Sequence, residues 1–249
     1  DVGGGHYYYV QSERQLSDTL GGEVGEALSV VAVSLRKQVE SARDVSVESI
    51  NGFPVTSQRT LCGVRCEVAL GDLVTGQQLS LVLRVTVPPS PVDAYCAITL
   101  RLLDAQGAMS LPAASVRWRY AAEGENNAQV RNPDVTREAA RLFAAQARMR
   151  AAELNRRQRY SDAQQLLLLV ARGNRHVAGD DPEQCALAAE LEREAQQVNL
   201  PLDEKEAKTL HSRGYTTMRG LDELSRAIRA LAAEESDSCA ATVVRSNPG

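Results

Sequence analysis

The chain has 249 residues, of which 43% are hydrophobic and 24% charged, with a formal net charge of −4 at pH 7. This composition is that of an ordinary globular protein, and the negative charge argues against a general affinity for nucleic acid or anionic membranes. The sequence shows no signal-peptide pattern and no apolar run near the roughly 18–20 residues that span a bilayer.

Residues 1–40 predict a short strand followed directly by a helix. The aromatic run Tyr7, Tyr8, Tyr9 and Val10 follows three glycines and favours a strand. Ser12 and Gln15 form a capping box, which predicts a helix start. An apolar stripe at three- and four-residue steps then continues to about Val39, through Leu16, Leu20, Val24, Leu28, Val31 and Leu35. A strand followed by a helix is half of an α/β unit, and we expect its sheet partners to lie outside this chain.

Residues 66–87 carry the strongest strand pattern. Apolar residues alternate with polar ones from Cys66 to Leu70 and again from Leu79 to Val87. Gly71-Asp72 and Thr75-Gly76 supply turn residues between the two runs. The pattern predicts a β-hairpin with one apolar face that needs a second sheet or a helix to cover it.

Further short strands flank this hairpin. Val45, Val47 and Ile50 predict an edge strand that ends at the Asn51-Gly52 turn, and residues 53–61 are predicted as a loop. Prolines at positions 88, 89 and 91 require a connection, because proline cannot donate to a strand ladder. Two more alternating runs predict strands, one through Ala94, Cys96, Ile98, Leu100 and Leu102 and one through Val116, Trp118 and Tyr120. Trp118 fits either a ligand-stacking role or a place in the core or between sheet and helix, and the latter is favoured.

The remainder is predicted to be helical after a linker at residues 122–127. Asn132 with Pro133, and Asp181 with Pro182, are N-cap and N1 pairs that predict two helix starts. A second capping box at Ser161 opens the run of residues 166–170, which is apolar nearly all round and is expected to be buried. Two more helices are predicted near residues 203–212 and 221–233. Residues 151–166 resemble one tetratricopeptide-type helical pair, which we interpret as a helical hairpin because a single repeat cannot form a solenoid.

Residues 137–159 carry a run of seven arginines: Arg137, Arg141, Arg148, Arg150, Arg156, Arg157 and Arg159. They could face an acidic partner, but interspersed glutamates favour a solvated helix face. Residues from 235 onward are small and polar and are predicted to be a disordered tail.

The cysteines and histidines do not form a recognisable catalytic or metal pattern. The five cysteines are Cys62, Cys66, Cys96, Cys185 and Cys239, and the three histidines are His6, His176 and His211. An odd number of scattered cysteines argues against a disulfide framework and favours a reducing compartment, the cytoplasm. A hydrolase or transferase that uses Cys62 or Cys66 with a histidine is the alternative, but Cys66 is predicted to lie on an apolar face.

Several runs together resemble a known family. They are GGGHYYYV, the helix sequence SERQLSDTLGGEVGEALSVVAVSLRKQVE, and VALGDLVTGQQLSLVLRVTV. They are similar to the closing strand and final helix of a von Willebrand factor type A (VWA) domain and to the β-rich segment after it. The likeness is to bacterial proteins related to calcium-activated chloride channels and inter-alpha-trypsin inhibitor heavy chains. The family's metal site uses an Asp-x-Ser-x-Ser loop with a later Thr and Asp, and none of these motifs occurs here.

The resemblance implies a truncated VWA protein of α+β class. The expected parts are the last VWA strand and helix in residues 1–40, an antiparallel β-sandwich in residues 41–121, a helical domain in residues 130–234, and the tail in residues 235–249. The expected function is non-enzymatic protein binding or scaffolding beside a metal-dependent VWA domain. We predict no catalytic, cofactor or metal residue in this chain, a divalent cation such as Mg²⁺ only in the upstream part, and an unidentified protein partner. The strand formed by Tyr7 to Val10 could also join two copies of the chain.

Overall fold

The computed structural model describes residues 30–74, 77–105 and 111–220. The strands in these residues are β1 (Val30–Ser41), β2 (Ser46–Ser49), β3 (Val55–Thr60), β4 (Gly63–Val74), β5 (Leu83–Thr86), β6 (Tyr95–Leu103) and β7 (Ala114–Arg119). The helices are α1 (Glu123–Asn127), α2 (Pro133–Arg156), α3 (Tyr160–Ala178), α4 (Pro182–Val198) and α5 (Glu204–Arg219). The strand predicted at residues 7–10, the helix start at Ser12, the helix at 221–233 and the tail from 235 lie outside the described residues.

The strands form two antiparallel sheets. The large sheet has the order β3-β4-β1-β6-β7, and the small sheet pairs β2 with β5. One face of the large sheet carries Val39, Cys66 and Ile98, which share a core cluster with Val47 of β2 and the half-buried Val85 of β5. The apolar faces of the two sheets therefore cover each other.

The opposite face of the large sheet is polar. Arg36 of β1 forms an ion pair with Glu67 of β4, and Arg65 forms one with Glu40. Because successive side chains of a strand point to opposite faces, this face is the solvated counterpart of the apolar one.

The predicted helix of residues 12–39 is wrong over its last ten residues, which form β1 at the centre of the large sheet. Val31, Leu35 and Val39 are four residues apart. Residues at this spacing lie on one face of a helix, and they also lie on one face of a strand. The β-branched run Val30, Val31 and Val33 is the local feature that favours the strand. The expected boundary between residues 40 and 41 consequently falls inside β1.

The predicted hairpin of residues 66–87 is also wrong. Its first half is β4, which pairs with β1 and β3, whereas β5 pairs with β2 in the other sheet. Leu79 and Leu81 lie in no strand. The segment before β5 instead contacts the end of α5, where the Gln77 side chain donates to the Arg219 carbonyl at 3.2 Å. A long-range contact thus replaces the local pairing that the sequence pattern favours.

The other predicted strands have mixed outcomes. β2, β6 and β7 are confirmed, as is the Asn51-Gly52 turn, where Gly52 has a φ of 72°. The predicted loop of residues 53–61 is wrong, because residues 55–60 form β3. β3 is a polar edge strand that is exposed beyond Val55, so it carries no apolar alternation. The predicted linker at 122–127 contains the short helix α1.

Within the described residues, two of the three predicted helix caps are confirmed, and a further cap occurs at Asp203, near the predicted start of α5. The Asn132 and Asp181 side chains each accept two backbone N–H groups, and Asp203 forms a capping box with Glu206. The capping box predicted at Ser161 is wrong, since α3 begins at Tyr160 without a side-chain cap. The apolar run 166–170 is not wholly buried, because α3 contacts its neighbours on one side: Leu167 is fully buried, whereas Leu169 is 66% exposed.

The helices pack against the outer side of the small sheet. Ile50, which follows β2, shares a cluster with Leu142 and Ala145 of α2 and Met218 of α5. Asn51 is only 3% exposed; its amide donates to the Met218 carbonyl, and its oxygen accepts the Val82 N–H at 2.9 Å. A buried amide with its hydrogen bonds made to two different layers fixes their relative position.

Candidate interaction surface

β7 is an edge strand of the large sheet and is exposed along its whole length. It pairs with β6 on one side, and no other described strand pairs with its second side. Edge strands present unpaired backbone groups that can pair with another chain. β7 is therefore the place on the sheet where an extended partner could bind.

The side of β7 that continues the apolar face carries Val116 and Trp118. They lie opposite Ile98 and Cys96 of β6, which are buried. Val116 and Trp118 remain 38% and 37% exposed and are not among the residues of the core cluster that the two sheets share. The core position favoured for Trp118 is wrong. The only tryptophan of the chain borders the core and is open to solvent.

The opposite side of β7 is basic. The Arg117 guanidinium carbon lies 3.8 Å from the centre of the Tyr95 ring, a cation–π arrangement. Arg119 forms ion pairs with Asp93 and Glu125, and these neighbours raise the pKa of Arg119, chiefly through the hydrogen bond to Asp93. Arg117 has no ion pair with any described residue. Tryptophan, tyrosine and arginine are the residue types that most often dominate binding energy at interfaces.

Backbone geometry identifies which groups of β7 face outward. The Tyr120 N–H donates to the Ala94 carbonyl at 2.8 Å, so the main-chain groups of Tyr120 point toward β6. Direction alternates along an antiparallel strand. The N–H and C=O groups of Ser115, Arg117 and Arg119 therefore point away from β6, toward the second side of β7.

The two cysteines considered for catalysis differ in their exposure to solvent. Cys66 is 1% exposed within the core, with its Sγ 3.3 Å from the Ser57 Oγ, whereas Cys62 is exposed in the turn between β3 and β4. Both described histidines lie on helices, His176 on α3 and His211 on α5. Cys239 and His6 lie outside the described residues. Neither of the two described histidines therefore lies on the sheet that contains Cys66 or in the turn that contains Cys62.

A cleft of about 440 Å³ lies between α2 and α5. Its lining includes Met149, Arg156 and His211. Burial lowers the pKa of His211 below its usual value of 6.5, the positive Arg156 lowers it further, and Glu153 opposes the shift. The imidazole is therefore held in its neutral form near pH 7.

The arginines of α2 mostly form a solvated face, as predicted, with one exception. Arg148 is 5% exposed; its Nε lies 2.8 Å from Glu194 Oε2, and another of its nitrogens lies 2.9 Å from Glu190. Arg213 of α5 also contacts both glutamates, at 3.0 and 2.5 Å. These four residues join α2, α4 and α5 through ion pairs. We assign them a structural role.

Neither a metal cluster nor a membrane-spanning helix is found in the part of the chain that the structure describes. No three His, Cys, Asp or Glu side chains lie close enough there to hold a metal ion. None of the described helices has the length and hydropathy needed to cross a membrane.

Comparison with known proteins supports the fold. No family model and no curated protein matches the chain. Among solved structures, a von Willebrand factor type A protein from Catenulispora acidiphila is similar with a TM-score of 0.52 and 10% identity, over 85% of this chain and 51% of that one. The ArnB paralog VWA2 from Sulfolobus acidocaldarius aligns with a TM-score of 0.34 and 13% identity, over 76% of this chain and 42% of that one.

The chain thus spans about half the length of the first VWA protein and shares its fold. The fold is a mixed α/β arrangement similar to that of a VWA protein, with antiparallel pairing in both described sheets. At 10% identity the likeness concerns the fold alone.

Proposed function

We propose that this chain is a non-enzymatic interaction module of a VWA-type protein and that it binds a protein partner through β7. The observation that carries the proposal is the exposure of Trp118 and Val116 on an edge strand that also presents Arg117. A tryptophan at the margin of a core supplies a large apolar area, while the strand edge supplies directional hydrogen bonds.

The proposed architecture is a β-sandwich followed by a helical domain. The shared core of the two sheets supports the sandwich, and the contact of Asn51 with Met218 supports a helical part that is held in place. A fixed orientation suits a scaffold, because a partner bound at β7 would then have a defined position relative to the helices.

The resemblance to VWA proteins implies a divalent cation, and the described residues do not fit one. The Asp-x-Ser-x-Ser loop is missing from the sequence. We therefore place the proposed cation outside this chain, in the VWA part of the larger protein. Calorimetric titration of this chain with Mg²⁺ or Mn²⁺ should give no stoichiometric binding, and a tight one-to-one site would refute this assignment.

Two other proposals are tested separately. The cysteine-dependent hydrolase or transferase predicts that Cys62 or Cys66 is alkylated faster in the native protein than in the urea-unfolded chain, whereas an exposed thiol without activation and buried thiols predict no such acceleration. Pairing of two copies through residues 7–10 predicts a dimer that is lost when these residues are deleted. The odd number of cysteines supports a reducing compartment such as the cytoplasm.

The test of the proposed function is site-specific cross-linking in the cells that make the protein. A photo-reactive amino acid at position 116 should give a discrete protein adduct that mass spectrometry identifies. The matched control places the same group at position 209, an exposed threonine on α5. Equal adducts at both positions, or none at position 116, would refute the role of β7.

A further inference from the structure

The residues of β7 indicate which side chains a strand bound to it must carry. This inference rests on the proposed function. A strand that pairs with β7 must present its backbone to the outward N–H and C=O groups of Ser115, Arg117 and Arg119. Its side chains will alternate between the two faces of the sheet, as in any strand. The residues of β7 on each face therefore define what the added strand needs on that face.

On the apolar face, the added strand would lie beside Val116 and Trp118. Cross-strand neighbours on one face come within about 4.5–5.5 Å of each other between Cβ atoms. An apolar side chain there would cover surface that is now exposed, since neither residue belongs to the core cluster of the two sheets. β-Branched or aromatic residues suit this face best.

On the polar face, the added strand would lie beside Arg117 and Arg119. Arg119 already has two carboxylate partners, whereas Arg117 has only its contact with Tyr95 among the described residues. A glutamate or aspartate directly opposite Arg117 would supply the missing countercharge, while a lysine or arginine there would be repelled. Charge complementarity thus selects acidic residues at every second position.

We propose that β7 accepts, by strand addition, an extended segment of another protein in which apolar and acidic residues alternate. The apolar residues cover Trp118 and Val116, and the acidic residues face Arg117. Backbone hydrogen bonds to the outward groups of β7 give affinity, and the alternating pattern gives register, because a shift by one residue would place acids on the apolar face.

The experiment uses the full 249-residue chain and a synthetic nonapeptide of alternating valine and glutamate. Because Trp118 is the only tryptophan in the sequence, its fluorescence reports binding directly, and its emission should shift to the blue as the ring is covered. The control peptide carries lysine in place of each glutamate. The glutamate peptide should bind at least 10-fold more tightly than the lysine peptide.

A charge reversal tests the role of Arg117. The variant Arg117→Glu should weaken binding of the glutamate peptide at least 10-fold and should now bind the lysine peptide more tightly than the glutamate one. The control Arg172→Glu makes the same change in net charge at an exposed position on α3. An unchanged preference in Arg117→Glu, or the same loss in Arg172→Glu, would overturn the proposal.

Backbone methylation distinguishes strand addition from side-chain docking. One peptide is methylated on the valine nitrogens and another on the glutamate nitrogens, so that only one of the two loses the donors that face β7. If one methylated peptide loses binding and the other retains it, strand addition is supported. If both bind equally well or equally poorly, strand addition is overturned. A discrete cross-link at position 116 together with equal behaviour of the two peptides would leave the proposed function intact and remove only the strand mode.

Two other occupants of the β7 edge, a second copy of the chain and its own residues 1–10, would give different experimental results. A dimer that Val116→Lys abolishes would identify a second copy as the occupant. A chain without residues 1–10 that binds the peptide far more tightly than the full chain would identify its own aromatic run as the occupant. Either result would overturn the acidic partner.

Discussion

The buried cluster around Arg148 gives the sharpest test of how the helices are held together. Its side chain is 6% exposed and that of Glu194 is 8% exposed, with two hydrogen bonds of 2.8 and 3.1 Å between them. The variant Arg148→Ala would leave the Glu194 carboxylate buried, with only Arg213 as a charged partner. Breaking a buried pair in this way costs about 3–5 kcal/mol, and the remaining Arg213 contact places the expected loss at about 3 kcal/mol.

Urea unfolding followed by circular dichroism measures this loss. In thermal unfolding, a loss of this size should lower the melting temperature by about 6–12 °C in a domain of this length. The control Arg150→Ala removes an exposed arginine two positions further along α2, whose partner is the surface residue Glu153, and should leave the urea midpoint unchanged. The double variant Arg148→Met with Glu194→Met replaces the pair by apolar side chains and should recover to within about 1 kcal/mol of the original protein.

The pH dependence of folding stability provides a second test of the Arg148 cluster. Burial raises the pKa of Glu190, but hydrogen bonds and charges from Arg213 and Arg148 outweigh it and hold the pKa below the usual 4.5. A carboxylate with a lowered folded-state pKa contributes stability above its unfolded pKa and loses it as the pH falls through the folded value. The difference between Arg148→Ala and the original protein should therefore shrink below pH 4.5. If Arg148→Ala costs no more than Arg150→Ala at neutral pH, the cluster is not acting as a buried charge network.

Three further predictions concern the helices and their contact with the sheets. Gly214→Ala should destabilise the protein by about 1–3 kcal/mol in urea unfolding, because its Cβ would lie 2.5 Å from the Ala145 carbonyl oxygen of α2; an unchanged midpoint would show that the two helices can separate freely. Limited proteolysis within residues 121–129 should leave two fragments that stay together in gel filtration, since Asn51 holds the layers, and two separately melting pieces would contradict this. The lowered pKa of His211 means that folding stability should fall as the pH drops below about 6.5. The variant His211→Gln should flatten this part of the plot of stability against pH. A plot identical to that of the original protein would argue against a buried neutral imidazole.

Local sequence rules determined the features that depend on a few neighbouring residues. The N-caps Asn132 and Asp181 and the Asn51-Gly52 turn were predicted correctly because side chain and backbone meet within three or four positions. The alternation of apolar and polar residues likewise identified β6 and β7 as strands. It also assigned Cys66 correctly to the apolar face.

Only the tertiary structure decided which strand pairs with which, and therefore where the candidate surface lies. The apolar pattern of β1 fits a helix and a strand alike, and the strands β4 and β5 look like a hairpin until their true partners are known. Whether Trp118 is buried depends on its place on an edge strand at the margin of the shared core, which no local pattern encodes. The pairing of Arg148 with Glu190 and Glu194 depends in the same way on α2 meeting α4. Such contacts join residues 23 to 46 positions apart, so their free energy is set by the packing of whole layers. β7 becomes an edge only because no other described strand covers its outer side.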